Sequence, residues 1–422
     1  MSRFRITFYF IFSISFLLPL YLQSQVAGCT DPVANNFNGT ATYNDGSCTY
    51  PVTTYTPPIK VDPITDSLRE TSGLMLAGGS LWSFNDGGGT PTLYRIDTVS
   101  NALLQRVILL GIANKDWEDI AFDGVNVYVG DFGNNVNGAR TDLKVLKFSF
   151  DIIPADYNNN PVAYIPANKI EIINFKYADQ PQPPVAVALN TTRYDCAAML
   201  VDNGRIHLFS KDYIDNACTH YIINDTSAGS YTAIPTETLD TKYLVTGASK
   251  VAGQNIIVLL GYQNSGSAAH FMHILSDYSG DSFFAANKRR IDLPDVLTMG
   301  QAEGIVFRNG KYGYISNEKF TRTVGPFTFN VNQKLRSFDI SNYVNDYYTT
   351  YTFTGDGNWS DSTNWKNKLI PSTNLIAGNQ IIIDPVENGK CILDIPYKLS
   401  PGASLSVKEN KSFEVNGNLI LQ

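Results

Sequence analysis

Histidine is scarce in this chain of 422 residues: there are four, at positions 207, 220, 270 and 273. His270 and His273 lie three apart in a predicted strand, so they point to opposite faces and cannot share a metal. No H-E-x-x-H run and no G-x-S-x-G elbow occurs, which removes zincin and nucleophile-elbow chemistry. The run Asn85-Asp86-Gly87-Gly88-Gly89 lacks the following lysine of a phosphate loop and reads as a turn. Charged residues are only 17%, and the net charge is −7. An acidic chain is a poor candidate for nucleic-acid or anionic-membrane binding, and no nucleic-acid partner is expected. No segment sustains a 3.6-residue apolar period, which excludes helix bundles. Beyond the first 25 residues no apolar run is long enough to span a bilayer, so the mature chain has no predicted transmembrane segment.

What is present is β-forming. Tyr (24) and Phe (23) are frequent, and Gly and Pro punctuate short apolar runs within a chain that is 43% hydrophobic. The N-terminus, MSRFRITFYFIFSISFLLPLYLQSQ, pairs Arg3 and Arg5 with an apolar stretch and then turns polar. Residues 1–25 therefore read as a secretory signal peptide, and export to the cell surface or medium is expected. Its removal moves the net charge from −7 to −9.

The five cysteines are Cys29, Cys48, Cys196, Cys218 and Cys391. Export permits disulfides. The expected pairs are Cys29–Cys48 and Cys196–Cys218, with Cys391 left as a buried small hydrophobe. A second reading of Cys29 stands beside this one: Val26-Ala27-Gly28-Cys29 fits a loose lipobox, which would make Cys29 a lipid anchor.

Residues 28–50, GCTDPVANNFNGTATYNDGSCTY, resemble a short disulfide-closed module of secreted Bacteroidetes proteins. Two readings are open for Asp31, Asn38, Asn44 and Asp45: oxygens for Ca²⁺, or caps of tight turns. Residues 51–58 follow as an extended, proline-rich linker.

A repeat organises residues 59–345. ETSGLML, DWEDIAF, DCAAMLV, LVTGASK and QAEGIVF each mix a polar start with small and apolar residues. Their anchors are taken as Glu70, Glu118, Ala197, Thr246 and Glu303. Each anchor has a partner 13 to 16 residues on: Asp86, Asp131, Lys211, Tyr262 and Glu318. Third strands follow at 93–97, 143–150, 219–224, 271–278 and 334–340, and fourth strands at 103–110, 169–175 and 289–293. Units of about 50 residues with three or four strands predict a β-propeller. Five blades are expected, or six if the insertion at 151–168 hides one. The last unit lacks a fourth strand, and residues 57–64 offer it, closing the ring.

Thirteen to sixteen residues is one strand out, a turn and one strand back. Anchors and partners should therefore meet at one mouth of the channel. Glu70, Asp86, Glu118, Asp131, Glu303 and Glu318 are the candidate ligands of a cation. Oxygen donors without Cys or His select Ca²⁺. The alternative stays open that these acids cap neighbouring backbone and pair with Lys115, Lys211 or Lys319. Trp82 and Trp117 lie near the anchors and are read as core, with stacking on a sugar as the other use.

E-x-x-G-L with N-D-G-G, D-W-E-D-I-A with G-D-x-G-N-N, and A-E-G-I with N-E resemble the propellers of calcium-dependent phytases and esterase-like phytase domains. The resemblance implies metal-binding roles for Glu118, Asp131, Glu303 and Glu318. Ala197 and Thr246 depart from it, standing where further acids are expected, and no Lys/Arg cluster marks a phosphate pocket. The chain is more similar to a group of secreted Bacteroidetes β-propellers, a likeness that implies no activity.

From residue 350 to 422 the texture changes. Trp359 and Trp365 open a series of short alternating strands, which resembles β-solenoid or adhesin-like modules; a small sandwich is the alternative. The expectation is thus an all-β chain. Its expected role is binding or scaffolding outside the cell, toward a glycan, phosphate ester or protein. The alternative is a metal-dependent phosphoric-ester hydrolase.

Overall fold

A computed structural model describes residues 26–264 and 268–421; the signal-peptide expectation falls outside them. The fold is almost entirely β, built from short strands rich in Val, Ile, Leu, Phe and Tyr. Five antiparallel units of four strands follow one another along the chain, each counted outward from its first strand. Unit 1 has Thr71–Ala77, Ser80–Asn85, Thr92–Ile96 and Leu103–Leu109. Unit 2 has Trp117–Phe122, Asn126–Asp131, Lys144–Ser149 and Glu171–Tyr177. Unit 3 has Cys196–Asp202, Arg205–Ser210, Cys218–Ile223 and Gly229–Leu239. Unit 4 has Leu244–Lys250, Ile256–Tyr262, His270–Ser276 and Asn287–Leu293. Unit 5 has Gln301–Asn309, Tyr312–Glu318 and Lys334–Asp339, and its fourth strand is Ile59–Val61 from the start of the chain.

The five first strands pack side by side in a closed cycle, unit 5 returning to unit 1. This is a propeller-like ring, sealed by an N-terminal strand that covers an otherwise open edge. The 151–168 insertion contributes a single strand. Its strand Val162–Ile165 runs parallel to Leu103–Leu109 and widens unit 1 at its outer edge. The fourth strands of units 2 and 3 also pair in parallel, joining them into one eight-stranded sheet.

The core lies between adjacent units. Phe84 and Trp117 meet edge to face at 5.5 Å, and both Trp82 and Trp117 are fully buried. Neither tryptophan can reach a ligand.

Around the axis the first strands share one irregularity. Pairing with the second strand shifts by one residue at the same point in each: Thr71/Leu74, Trp117/Asp119, Cys196/Ala198, Val245/Gly247 and Ala302/Ile305. Such bulges bend a strand and re-aim its side chains. Polar links cross from unit to unit here. Ser72 Oγ donates to Glu118 O (2.6 Å), Met199 N to Asp119 Oδ2 (2.6 Å), and Thr246 Oγ1 to Ala302 O (2.9 Å). The strands approach so closely that a Cβ on Gly304 would stand 2.4 Å from Ser72 O.

Cys29 and Cys48 form the expected disulfide. A Cys29 sulfur so bonded cannot carry a thioether-linked lipid. Asp31, Asn38, Asn44 and Asp45 each accept backbone N–H groups two residues on, the turn-capping role. The second expected disulfide is absent: Cys196 and Cys218 are free and buried. They sit on the first and third strands of unit 3 with Arg205–Ser210 between. Two strand spacings amount to about 9–10 Å, beyond the roughly 7 Å reach of a disulfide. Cys391 is free and buried, as expected.

Residues 350–421 wind into coils whose strands form three parallel three-stranded sheets. Trp359 and Trp365 pack inside at 4.7 Å. Parallel stacking of successive coils is solenoid geometry, not that of an antiparallel sandwich. Among the described residues no helix is long and apolar enough to cross a membrane.

Gly304→Val should lower stability by about 2–3 kcal/mol, since neither neighbouring backbone can yield. Denaturant midpoints of variant and parent check this; equal midpoints would mean the ring tolerates a wider spacing.

Candidate cation site at one mouth of the ring

The bulge defines structural equivalence between units. Matching the paired residues Thr71, Trp117, Cys196, Val245 and Ala302 puts Ser72, Glu118, Ala197, Thr246 and Glu303 at the bulge. Ser72, not Glu70, is therefore the counterpart of Glu118. Glu70 lies two residues earlier, exposed on the rim near Glu318.

The same register sorts the partners. Asp86, Lys211, Tyr262 and Glu318 each follow the second-strand residue that pairs with the first strand. Asp131 is that paired residue itself, opposite Trp117, one position short of them. One residue along a strand reverses the face. Asp131 is accordingly turned away and fully buried, neutralised by Arg140 Nη2 at 2.8 Å and Lys144 Nζ at 2.9 Å.

Of the six expected ligands, Asp86, Glu118, Glu303 and Glu318 come together; Glu70 and Asp131 do not join them. Two acids that the repeat reading missed complete the mouth, Asp116 and Asp195. They stand two residues before Glu118 and Ala197, an offset that alternation along a strand makes legible. Asp86, Asp116 and Glu118 each offer a carboxylate oxygen within 4.8 Å of the other two. Gly133 backs this trio: a Cβ there would lie 2.4 Å from Glu118 Oε1 and 2.5 Å from Asp116 Oδ2. Only glycine lets the chain pass so near two carboxylates.

Across the mouth, Lys211 is 6% exposed, and its backbone N–H donates to Asp195 O at 2.8 Å. Its Nζ lies 4.0 Å from Glu303 Oε2 and 5.7 Å from the centre of the Tyr262 ring. Gln301 Nε2 donates to Glu303 Oε1 at 2.8 Å.

Burial and mutual repulsion act together on these acids. Burial, then the charge of Asp86, pushes Asp116 up to about 6. Burial pushes Asp195 up to about 7, against the pull of Lys211. Glu118 and Glu318 are raised well above the usual carboxylate range, by burial first and then by neighbouring acids. Lys211 stays charged: burial opposes it, but Glu303 and Glu118 hold its pKa well above the ordinary value. One ammonium thus faces six carboxylates. Such a site favours either protons or a bound cation. Three oxygens at this spacing, with no nitrogen or sulfur donor, suit a hard divalent ion such as Ca²⁺.

No known protein family matches the chain, and no curated protein matches it. Among solved structures, it is similar to the PQQ-bound form of an aldose sugar dehydrogenase from Streptomyces coelicolor. The identity is 12%, with 67% of this chain and 100% of that one covered, and the TM-score is 0.36. A glucose dehydrogenase matches at 10% identity, 66% and 99% coverage and TM-score 0.36. A protein from Bacteroides uniformis described as a 6-phosphogluconolactonase matches at 11% identity, 60% and 68% coverage and TM-score 0.30. Likeness at this level carries no argument about activity.

Proposed function

We propose that this is an exported five-bladed β-propeller that binds an extracellular ligand through a divalent cation, Ca²⁺, held at the acidic mouth. The observation that carries the reading is the trio Asp86, Asp116 and Glu118, whose oxygens lie within 4.8 Å of one another. Glu118 is buried, with Asp86 and Asp116 as its nearest acidic neighbours. Protein groups fix three positions, leaving others of a Ca²⁺ shell for water or a ligand oxygen. The disulfide Cys29–Cys48 fits an oxidising compartment.

A second reading, hydrolysis of a phosphoric ester, is favoured by Lys211. A cation on the trio and the buried ammonium would flank one anionic group from two sides.

The pH dependence has a definite sign. The mouth carboxylates have folded pKa values above their unfolded ones. Their contribution to stability is full below the ordinary carboxylate range and is lost as pH rises through about 6–7. A bound cation removes that loss. Ca²⁺ should therefore stabilise the protein more at pH 8 than at pH 5. At about 100 times its dissociation constant it should add roughly 2.7 kcal/mol, read as a shift of a few degrees in melting temperature. Glu118→Gln should abolish the shift. A melting temperature indifferent to Ca²⁺ at pH 8 would refute the cation.

Phytate and a chromogenic phosphomonoester, each with Ca²⁺ and with chelator, separate the two readings. Turnover lost in Glu118→Gln would establish the hydrolase. Cation binding without turnover would leave the binding protein.

A further inference from the structure

A row of four titratable side chains, far along the sheets from the mouth residues, crosses the seam between units 3 and 4. His220 Nδ1 lies 3.0 Å from Glu237 Oε1 and 3.1 Å from Thr236 Oγ1. His220 Nε2 lies 2.9 Å from His207 Nδ1. His207 Nε2 lies 4.0 Å from Asp281 Oδ1, on the loop after the third strand of unit 4. Both imidazoles are fully buried. The same loop drives Phe283 against them, with ring centres 4.7 Å from His220 and 4.9 Å from His207.

We propose that the Glu237–His220–His207–Asp281 row is an acid-sensitive latch. It holds the loop at 277–285, and with it one edge of the N-terminal disulfide module, against the ring.

The hydrogen bonds assign the protons. A carboxylate accepts only, so His220 carries its proton on Nδ1. Its Nε2 is then the acceptor, and His207 donates from Nδ1. That leaves His207 Nε2 with no partner at full hydrogen-bond geometry among the described residues, the Asp202 backbone carbonyl being its nearest acceptor. Nε2 is the open point for a further proton. Asp281 is the natural partner of that proton, but Arg205 already holds Asp281. Arg205 on the same strand and Lys250 on the first strand of unit 4 both repel a charged ring, while Asp202 pairs with Lys250. Tyr278 packs against Phe283 and closes the remaining side. Lys288 lies toward Glu237 at the other end of the row.

Burial, then the charge of the neighbouring histidine, pushes the pKa of His207 well below the ordinary value near 6.5. A folded value below the unfolded one means stability that is present above about 6.5 and lost as pH falls beneath it. The ring gains its proton when the loop swings out and water enters.

What the loop carries gives the latch a consequence. Asp277 accepts from Thr30 Oγ1 at 2.9 Å. Asn44 Nδ2 bonds Asn287 Oδ1 at 2.8 Å, just beyond the loop. Gly46 lies against Ala285 so closely that a Cβ would stand 2.7 Å from its carbonyl oxygen. Release of 277–285 therefore strips the Asp277 and Ala285 contacts from the module and loosens the Asn44–Gly46 edge, which then rests on Asn287 and on Lys288 Nζ, 3.4 Å from Gly46 O.

Hydrogen–deuterium exchange of the full chain at pH 7.5 and pH 5.0, corrected for intrinsic exchange, tests this. Peptides over 277–285 and 43–48 should exchange at least tenfold faster at pH 5.0, with the five first strands unchanged. In His207→Gln, whose amide can donate to His220 without titrating, the increase should vanish. An equal increase in that variant, or an increase spread over the whole ring, would overturn the latch. Should the variant fail to fold, nitrogen NMR of labelled histidine in the parent decides. Proton on Nδ1 of His207 at pH 7.5, with no imidazolium while the loop stays protected, is the expected result. Titration near 6.5 with the loop still protected would sink the proposal.

Discussion

Everything at the mouth depends on how near the axis the five first strands can come. They are not hydrogen-bonded to one another as a sheet, so their spacing is set by what stands between them. Small residues follow the bulge position in four of the five units: Gly73, Ala198, Gly247 and Gly304. Side-chain oxygens from Ser72, Asp119 and Thr246 bond directly to the next strand's backbone. A buried backbone group without a partner is costly, and each of these links supplies one. The bulge arises from the same demand. It breaks the ladder at one residue, which frees that residue to reach the neighbouring unit or the opening.

That geometry explains both why the acids gather and why the gathering is incomplete. Bulge positions reach the axis or the neighbouring strand, according to the side chain they carry. Glu118 and Glu303 reach the opening, while Ala197, Thr246 and Ser72 occupy the equivalent places with short side chains. The acids are concentrated on one side, where Asp86, Asp116 and Glu118 meet. Lys211 stands opposite, on the partner position of a unit whose bulge residue is alanine. Lys211 forms a long ion pair with Glu303 at 4.0 Å, and one ammonium does not balance the remaining acids.

The strands were legible because alternation and turn residues mark them locally. Every third strand expected from the repeat is present, and residues 57–64 do supply the closing strand Ile59–Val61. The fourth strand of unit 3, Gly229–Leu239, was missed, since SAGSYTAIPTETL carries a proline and few apolar residues. The exposed hairpin Phe320–Val331 within unit 5 gave no signal of its own role either. Register was the harder matter. Setting Glu70 beside Glu118 is a slip of two residues, which keeps the side-chain face and so leaves the apolar pattern intact. Setting Asp131 beside Asp86 is a slip of one, which reverses the face, yet the count from anchor to partner varies too much between units to expose it. The Cys196–Cys218 pairing failed for a related reason: loop length says nothing of a strand lying between two cysteines.

The two ends of the ring are not equivalent, and this bears on where a ligand can enter. The acidic groups lie where the first strands begin. At the far ends of those strands, around Leu74, Ile120, Met199 and Ile305, the chain's last coils stand across the opening, with Ile370, Pro371 and Ile395 lining a space of about 990 Å³. The coils are fastened there by backbone and side-chain bonds to one hairpin of unit 4. Asn255 N donates to Tyr347 O at 2.7 Å, and Thr349 Oγ1 to Asn255 Oδ1 at 2.8 Å. Ile376 fills the place where Gly253 has no side chain. The acids therefore stand at the end of the axis away from the coils. A charged group that reaches Asp86, Asp116 and Glu118 meets three carboxylates, so discrimination there is by charge. Low local dielectric strengthens that discrimination as the group moves inward.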